Sequence, residues 1–273
     1  MAREILDVLL ELRAGGRPHA VATVVETAGS VSAKTGAKAV IDPQGRVVAG
    51  WVGGGCAESA TCEAALHCMR TGETAIIDID LNDEVLGVGM PCGGSMRVYV
   101  DPVLPRPTLW IMGHGRVAEC LCQLGDLMGL KVIVDDPLVE PQKYPAAERL
   151  IADDIDYRQL QPLAGDYVVI ATQHKGDHES LQQALNSPAG YIALIASRKR
   201  SRLVLAYLRD AGVGKTQLER VMAPAGLDLG ARTPEEIALC VISEIVLIRR
   251  AGTGLRMRDK LHRELRKVEA VGQ

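Results

Sequence analysis

The chain has 273 residues, 47% of them hydrophobic, with no phenylalanine, two tryptophans and six tyrosines, so its cores must be built from Val, Ile, Leu, Ala and Met. Its 31 basic residues against 34 acidic ones give a formal net charge of −3, which makes no electrostatic case for a nucleic-acid partner. The length suggests two domains, and no apolar run approaches the roughly 18 residues of a membrane span. The opening residues carry Arg3, Glu4 and Asp7 within an apolar run, unlike a signal peptide. With an odd number of cysteines, seven, this favours free thiols in a reducing cytoplasm.

Ile5, Leu6, Leu9, Leu10 and Leu12 recur at helical spacing and predict an amphipathic helix over residues 3–13, ended by Gly15-Gly16. Residues 20–25 read as a buried strand and residues 26–36 as a polar loop. Residues 37–41 and 46–52 read as two strands joined by the turn Asp42-Pro43-Gln44-Gly45. Gly53-Gly54-Gly55-Cys56 then runs into an Ala-rich helix reaching about Arg70. A strand over 74–80, a second glycine-rich loop over 86–94 containing Cys92, and a strand over 96–100 follow. Three prolines within residues 101–107 mark the domain boundary. The first domain, residues 1–101, is expected to be α/β with a mixed sheet.

From Thr108 the pattern alternates strand and helix. Strands are predicted at 109–112, 131–134, 149–151, 167–171 and 191–195, with helices at 117–129, 180–185 and 201–211. This alternation implies a Rossmann-like, doubly wound parallel sheet over residues 108–250. Thr233-Pro234-Glu235-Glu236 is a capping box opening an apolar helix through Ile248. Residues 251–273 form a basic tail, read as a solvated or frayed helix, with docking to an acidic partner as the alternative.

Three stretches have the composition for chemistry. In the first, the glycines Gly53, Gly54 and Gly55 let backbone amides converge, and a helix starting at Cys56 adds its unpaired N–H groups. Such a place attracts an anion and favours a thiolate. Glu58 stabilises the helix start or belongs to the site. Cys92, set beside Gly93 and Gly94, is the second accessible cysteine. Cys62, Cys68, Cys120, Cys122 and Cys240 fall in apolar helical patterns and read as buried thiols. Cys56, Cys62 and Cys68 lie about 120° apart around one helix and cannot share a metal ion.

The second is Gly113-x-Gly115-x-x-Ala118, between a predicted strand and helix, with Asp135 ending the next strand where a ribose-binding carboxylate belongs. It predicts NAD(P) or another nucleotide, with a turn that binds none as the alternative. An NAD(P)-dependent oxidoreductase is the rival function, although no hydride-transfer site follows downstream. The third comprises His174 and His178, read as a loop beside the cleft rather than a metal pair, and the basic segment Ala196-Ser197-Arg198-Lys199-Arg200, which suits a phosphate or a solvated helix start.

Together, Gly53–Glu58, Gly89-Met90-Pro91-Cys92-Gly93-Gly94, Gly113–Ala118, Ala196-Ser197-Arg198 and the long block from Pro224 to Ala238 resemble the XdhC/CoxI family of molybdenum hydroxylase maturation factors. The resemblance covers most of the chain. It implies a chaperone that binds the molybdenum cofactor (molybdopterin), protects it and promotes its sulfuration. A cysteine desulfurase would be the sulfur donor, and a molybdenum hydroxylase apoenzyme, such as xanthine dehydrogenase or CO dehydrogenase, the recipient. It implies a maturation factor more than an enzyme, and a homodimer is expected. The cofactor-binding residues would be Gly53, Gly54, Gly55, Cys56, Glu58, Cys92, Gly93 and Gly94, with Cys56 and Cys92 as molybdenum contacts. The family's first loop carries Gly-Ser-x-Pro-Arg, whereas this chain has Gly29-Ser30-Val31-Ser32-Ala33 followed by Lys34. A lysine point charge stands where an arginine fork would grip a phosphate.

Overall fold

The computed structural model describes residues 4–81, 94–172 and 176–263. The chain forms two compact units that divide between Arg106 and Pro107.

The first unit contains α1 (Ile5–Ala14), β1 (His19–Gly29), β2 (Lys38–Ile41), β3 (Val47–Gly50), α2 (Cys56–Thr71), β4 (Ala75–Asp80) and β5 (Gly94–Val103). Its sheet order is β3-β2-β1-β5-β4. Every pairing is antiparallel, so the mixed sheet expected from sequence is not formed. The reason is topological. β1, β2 and β3 follow one another through short reversals, and the helix α2 carries the chain from one edge strand to the other, so no crossover joins neighbouring strands. One face of the sheet buries Ala20, Ala22, Val24, Ala39, Ile41, Val98 and Val100 against Ala57, Ala65 and Cys68 of α2. On the other face, Val40 and Ala49 pack against Val8 and Leu12 of α1.

β1 runs four residues past its predicted end, through part of the expected polar loop. A register shift between Val24 and Glu26 lets it keep pairing with β5 out to Gly29 opposite Gly94. β5 runs beyond its predicted end too, through Pro102. It pairs with β4 only between Ser95 and Val100, so Pro102 lies where that edge has no neighbour to receive an N–H.

The second unit contains β6 (Thr108–Gly113), α3 (Arg116–Leu127), β7 (Lys131–Asp135), β8 (Arg149–Ile151), β9 (Tyr167–Ala171), α4 (Asp177–Leu185), β10 (Tyr191–Leu194), α5 (Arg198–Asp210), α6 (Lys215–Leu218), β11 (Val221–Met222) and α7 (Pro234–Arg249). The six strands are parallel in the order β11-β10-β9-β6-β7-β8. Numbered within the unit this is 6-5-4-1-2-3, the Rossmann order, with its switch point between β6 and β9. The strands read as continuous apolar runs because both faces are covered. Leu109, Ile111, Val169 and Ala193 meet α3 and α7, whereas Trp110, Met112, Val168, Ile170 and Leu194 meet α4 and α5. Among the described residues no helix is long and apolar enough to cross a membrane.

Local chemistry sets several boundaries. Thr233 Oγ1 accepts from Glu236 N at 3.2 Å, and Glu236 Oε2 accepts from Thr233 N at 3.0 Å, completing the capping box of α7. Asp166 joins the starts of β6 and β9, accepting from Thr108 N and Leu163 N at 2.7 Å each. α4 begins at Asp177, three residues before its predicted start, because Gly176 (φ 84°) supplies the left-handed step just ahead of it.

Two substitutions test this account. Thr233→Ala should cost about 1 kcal/mol in urea unfolding. Gly113→Ala should cost more than about 3 kcal/mol, because residue 113 has φ 131° and its Cβ would sit 2.3 Å from the Ala171 carbonyl oxygen. A Gly113→Ala protein with an unchanged unfolding midpoint would contradict the close approach of β6 to β9.

Candidate functional site

The first unit presents its glycine turn at the head of α2. Gly53 has φ 110° and is buried, and a Cβ there would meet Ala57 Cβ at 3.1 Å and Ser32 Oγ at 3.5 Å. Gly54 and Gly55 are exposed, and a Cβ at either would meet nothing within 4 Å among the described residues. Gly55 caps α2 with φ 57° and provides no side-chain hydrogen bond to the first turn. The helix therefore begins with amide donors that its own cap residue leaves unpaired, facing an open glycine surface. Cys56 is the first residue of α2, exposed and a free thiol, and Glu58 is half-buried in the same turn.

The loop after β1 forms a wall shared with the second glycine-rich stretch. Ser32 and Ala33 abut Gly53, and a Cβ at Gly94 would lie 2.8 Å from Val31 Cγ1 and 2.9 Å from Ser30 N. Gly53 and Gly94 thus bracket one short segment, whose next residue, Lys34, is exposed. The Leu81 amide donates to the Gly94 carbonyl at 2.9 Å, so the chain leaves β4 and re-enters β5 at one point. Cys92 and Gly93 lie outside the described residues. A groove of about 240 Å³ opens nearby on the sheet, lined by Glu26, Asp78, Asp80 and Arg97 among others. Arg97 is paired there with Asp78 at 2.8 Å and Glu26 at 3.3 Å, which leaves the groove unsuited to an anion.

The remaining described cysteines contrast with Cys56. Cys68, Cys120, Cys122 and Cys240 are buried and Cys62 is half-buried. Burial pushes the thiols of Cys62, Cys68 and Cys120 up, and that of Cys122 up to about 11. Among the described residues no group of three or more His, Cys, Asp or Glu could hold a metal ion. His174 lies outside the described residues. His178 lies in α4, where its Nε2 is 2.7 Å from Glu179 Oε1 and its ring meets Tyr207 edge-on.

The second unit forms the expected turn between β6 and α3, and Ala118 is fully buried beneath it. Two of its polar groups are engaged within the protein. His114 Nδ1 lies 3.0 Å from Asp136 Oδ1, and the Gly115 amide donates to Tyr144 Oη at 3.0 Å. Asp135 ends β7, flanked in the sheet by Met112 and Ile151. It is fully buried, and neither carboxyl oxygen has a hydrogen-bond partner among the described residues. So placed, its carboxyl is closed off from solvent. Burial, reinforced by the charges of Asp154 and Asp136, pushes its carboxyl up to about 7.

Tyr144 lies in the connection from β7 to β8, and no local sequence signal marks its contact with Gly115, which the fold alone brings about. Across the sheet, Asp177 accepts from Thr172 Oγ1 and, at 2.6 Å, from Arg200 Nε. That pairing takes up one cation of the basic segment, whose Ser197 caps α5.

Residues 109–245 match the family model described as the XdhC Rossmann domain, and residues 12–80 match that of the XdhC and CoxI family. The chain is 29% identical over 254 residues to the uncharacterized protein YqeB of Escherichia coli (strain K12), covering 90% of this chain and 46% of that protein. It is 28% identical over 162 residues to a probable xanthine dehydrogenase subunit of Bacillus subtilis (strain 168), covering 57% and 47% respectively. The chain thus spans about half the length of these two relatives. Its identity to the molybdenum cofactor insertion chaperone PaoD of Escherichia coli (strain K12) is 23% over 282 residues, covering 90% of this chain and 88% of PaoD. A crystal structure of a xanthine dehydrogenase from Bacillus halodurans aligns at 20% identity with a TM-score of 0.49, over 91% of this chain and 96% of that one.

The enclosed carboxyl makes stability depend on pH. Its folded pKa of about 7 lies above its ordinary 3.8, so the folded state holds the extra proton between these values. Stability should be full below about pH 4 for this group and fall as pH rises through 7, by on the order of 2–4 kcal/mol. Asp135→Asn should flatten that fall, measured by urea unfolding at pH 5 and pH 8.5. An equal slope in both proteins would show that Asp135 is not the group responsible.

Proposed function

The chain belongs to the XdhC and CoxI family, and on that footing we propose that it is a carrier of the molybdenum cofactor that takes part in maturing a molybdenum hydroxylase. The observation that carries this reading is the exposed Cys56 at the head of α2, on a glycine turn that lends the helix start no side-chain cap. The fit to a phosphorylated pterin is chemical. Gly54 and Gly55 leave open space, the amides and positive end of a 16-residue helix favour a phosphate, and the thiol supplies a soft ligand for a metal. Lys34 adds a cation on the bracketing loop. Cys92 is the second candidate sulfur, by sequence alone.

In this reading Gly53, Gly54, Gly55 and Gly94 shape the cradle, Cys56 and Cys92 contact the molybdenum or relay sulfur, and Glu58 steadies the helix start. Protection of the cofactor, sulfuration with sulfur from a cysteine desulfurase, and transfer to the apoenzyme as a homodimer complete the proposal. A molybdenum cofactor insertion chaperone among the relatives, matched over most of its length, agrees with it. The nicotinamide-dependent alternative fares worse, because the Gly115 amide is bonded within the protein and Asp135 is enclosed.

The decisive experiment loads the protein with molybdenum cofactor anaerobically, desalts it, and measures retained molybdenum and pterin by mass spectrometry and fluorescence. Cys56→Ala should lose most of the retained molybdenum, and Cys92→Ala a part of it. Retention by both variants at the wild-type level, with unimpaired activation of an apo-hydroxylase, would rule out the cysteine mechanism.

A further inference from the structure

The turn between β6 and α3 has the backbone of a dinucleotide fingerprint and a different occupant. In that fingerprint the second glycine lets the pyrophosphate approach the backbone, and the helix start receives its charge. Here the second glycine is Gly115, with φ 88° at the cap of α3, and its N–H is spent on Tyr144 Oη at 3.0 Å. Tyr144 sits just past a single 3-10 turn, Pro141–Lys143, in the connection from β7 to β8. It is 3% exposed and rooted in the core with Leu109, Leu121 and Cys122. Its oxygen is therefore fixed by packing and does not depend on the mobility of a surface side chain. The neighbouring donor is engaged as well, since His114 is held by Asp136.

We propose that Tyr144 is the resident occupant of the phosphate position of the second unit, and that it makes this Rossmann turn reject pyrophosphate-bearing dinucleotides. A tethered acceptor meets the Gly115 amide without the entropy loss that a free ligand suffers on binding. A pyrophosphate would have to expel a buried aromatic side chain to reach the same donor. Burial also pushes the phenol up to about 12, so the occupant stays uncharged at neutral pH and does not dissociate by titration. The inference concerns the second unit and stands apart from the cargo reading of Cys56. It assigns Tyr144 as a specificity-determining residue that selects against NAD(H) and NADP(H).

The test titrates the full chain with NADH and NADPH, following nucleotide fluorescence and calorimetry. The wild-type protein should show no saturable binding up to about 1 mM. Tyr144→Phe frees the amide and keeps the ring, and Tyr144→Leu also clears the ring. Either should tighten dinucleotide binding by roughly tenfold or more, the worth of one hydrogen bond to a charged group. Saturable micromolar binding by the wild type would overturn the proposal, as would folded variants that bind no better than it. Should both variants fail to fold, glycine-selective nitrogen-15 NMR of the wild type decides. The Gly115 amide should stay unshifted and protected from exchange in about 5 mM NADH, and a saturable shift there would overturn the proposal.

Discussion

The close approach of Gly113 to Ala171 is the constraint on which the second unit depends. A methyl group at residue 113 would collide with the Ala171 carbonyl and with the Thr172 amide nitrogen. Only the β6–β9 pairing joins the half-sheet of β7 and β8 to that of β10 and β11, and Gly113–Ala171 is its last rung. The missing side chain lets the strands stay paired to their carboxyl ends, where the sheet order reverses and α3 starts. The same tight turn delivers His114 to Asp136 and Gly115 to Tyr144.

In the first unit, small residues play the corresponding part. Alanines on β1, β2 and α2 bring the helix down onto the sheet, and Gly53 and Gly94 press against one short segment of the loop after β1. Two stretches of sequence some forty residues apart are thereby held beside the same wall. The exposed thiol at the head of α2 stands out from the described cysteines in burial and in position.

The two helix starts show how one local device acquires opposite uses. Both α2 and α3 begin on a glycine with positive φ, and neither has a side-chain cap from its own N-cap residue. Such ends attract an anion through unpaired amides and the helix dipole. At α2 the space beyond Gly54 and Gly55 is open among the described residues. At α3 a tyrosine 29 residues downstream has taken the Gly115 donor. Nothing in either glycine motif distinguishes these outcomes.

Most of the elements were legible because their causes are local: apolar period for α1 and α3, a short apolar run for β6, runs of β-branched residues for β7 and β9, and the Thr233–Glu236 capping box for α7. The Rossmann-like fold of the second unit followed from strand–helix alternation, since crossover handedness leaves few ways to wind such a chain. Local sequence also marked Cys56 on its glycine turn. Only the tertiary structure made the first sheet antiparallel throughout, because pairing partners are set by how α2 spans the sheet. Only it enclosed Asp135 between Met112 and Ile151 without a hydrogen-bond partner among the described residues, and filled the donor of Gly115 with Tyr144. A residue's own neighbours in sequence fix its backbone, but burial and hydrogen-bond partners come from segments tens of residues away.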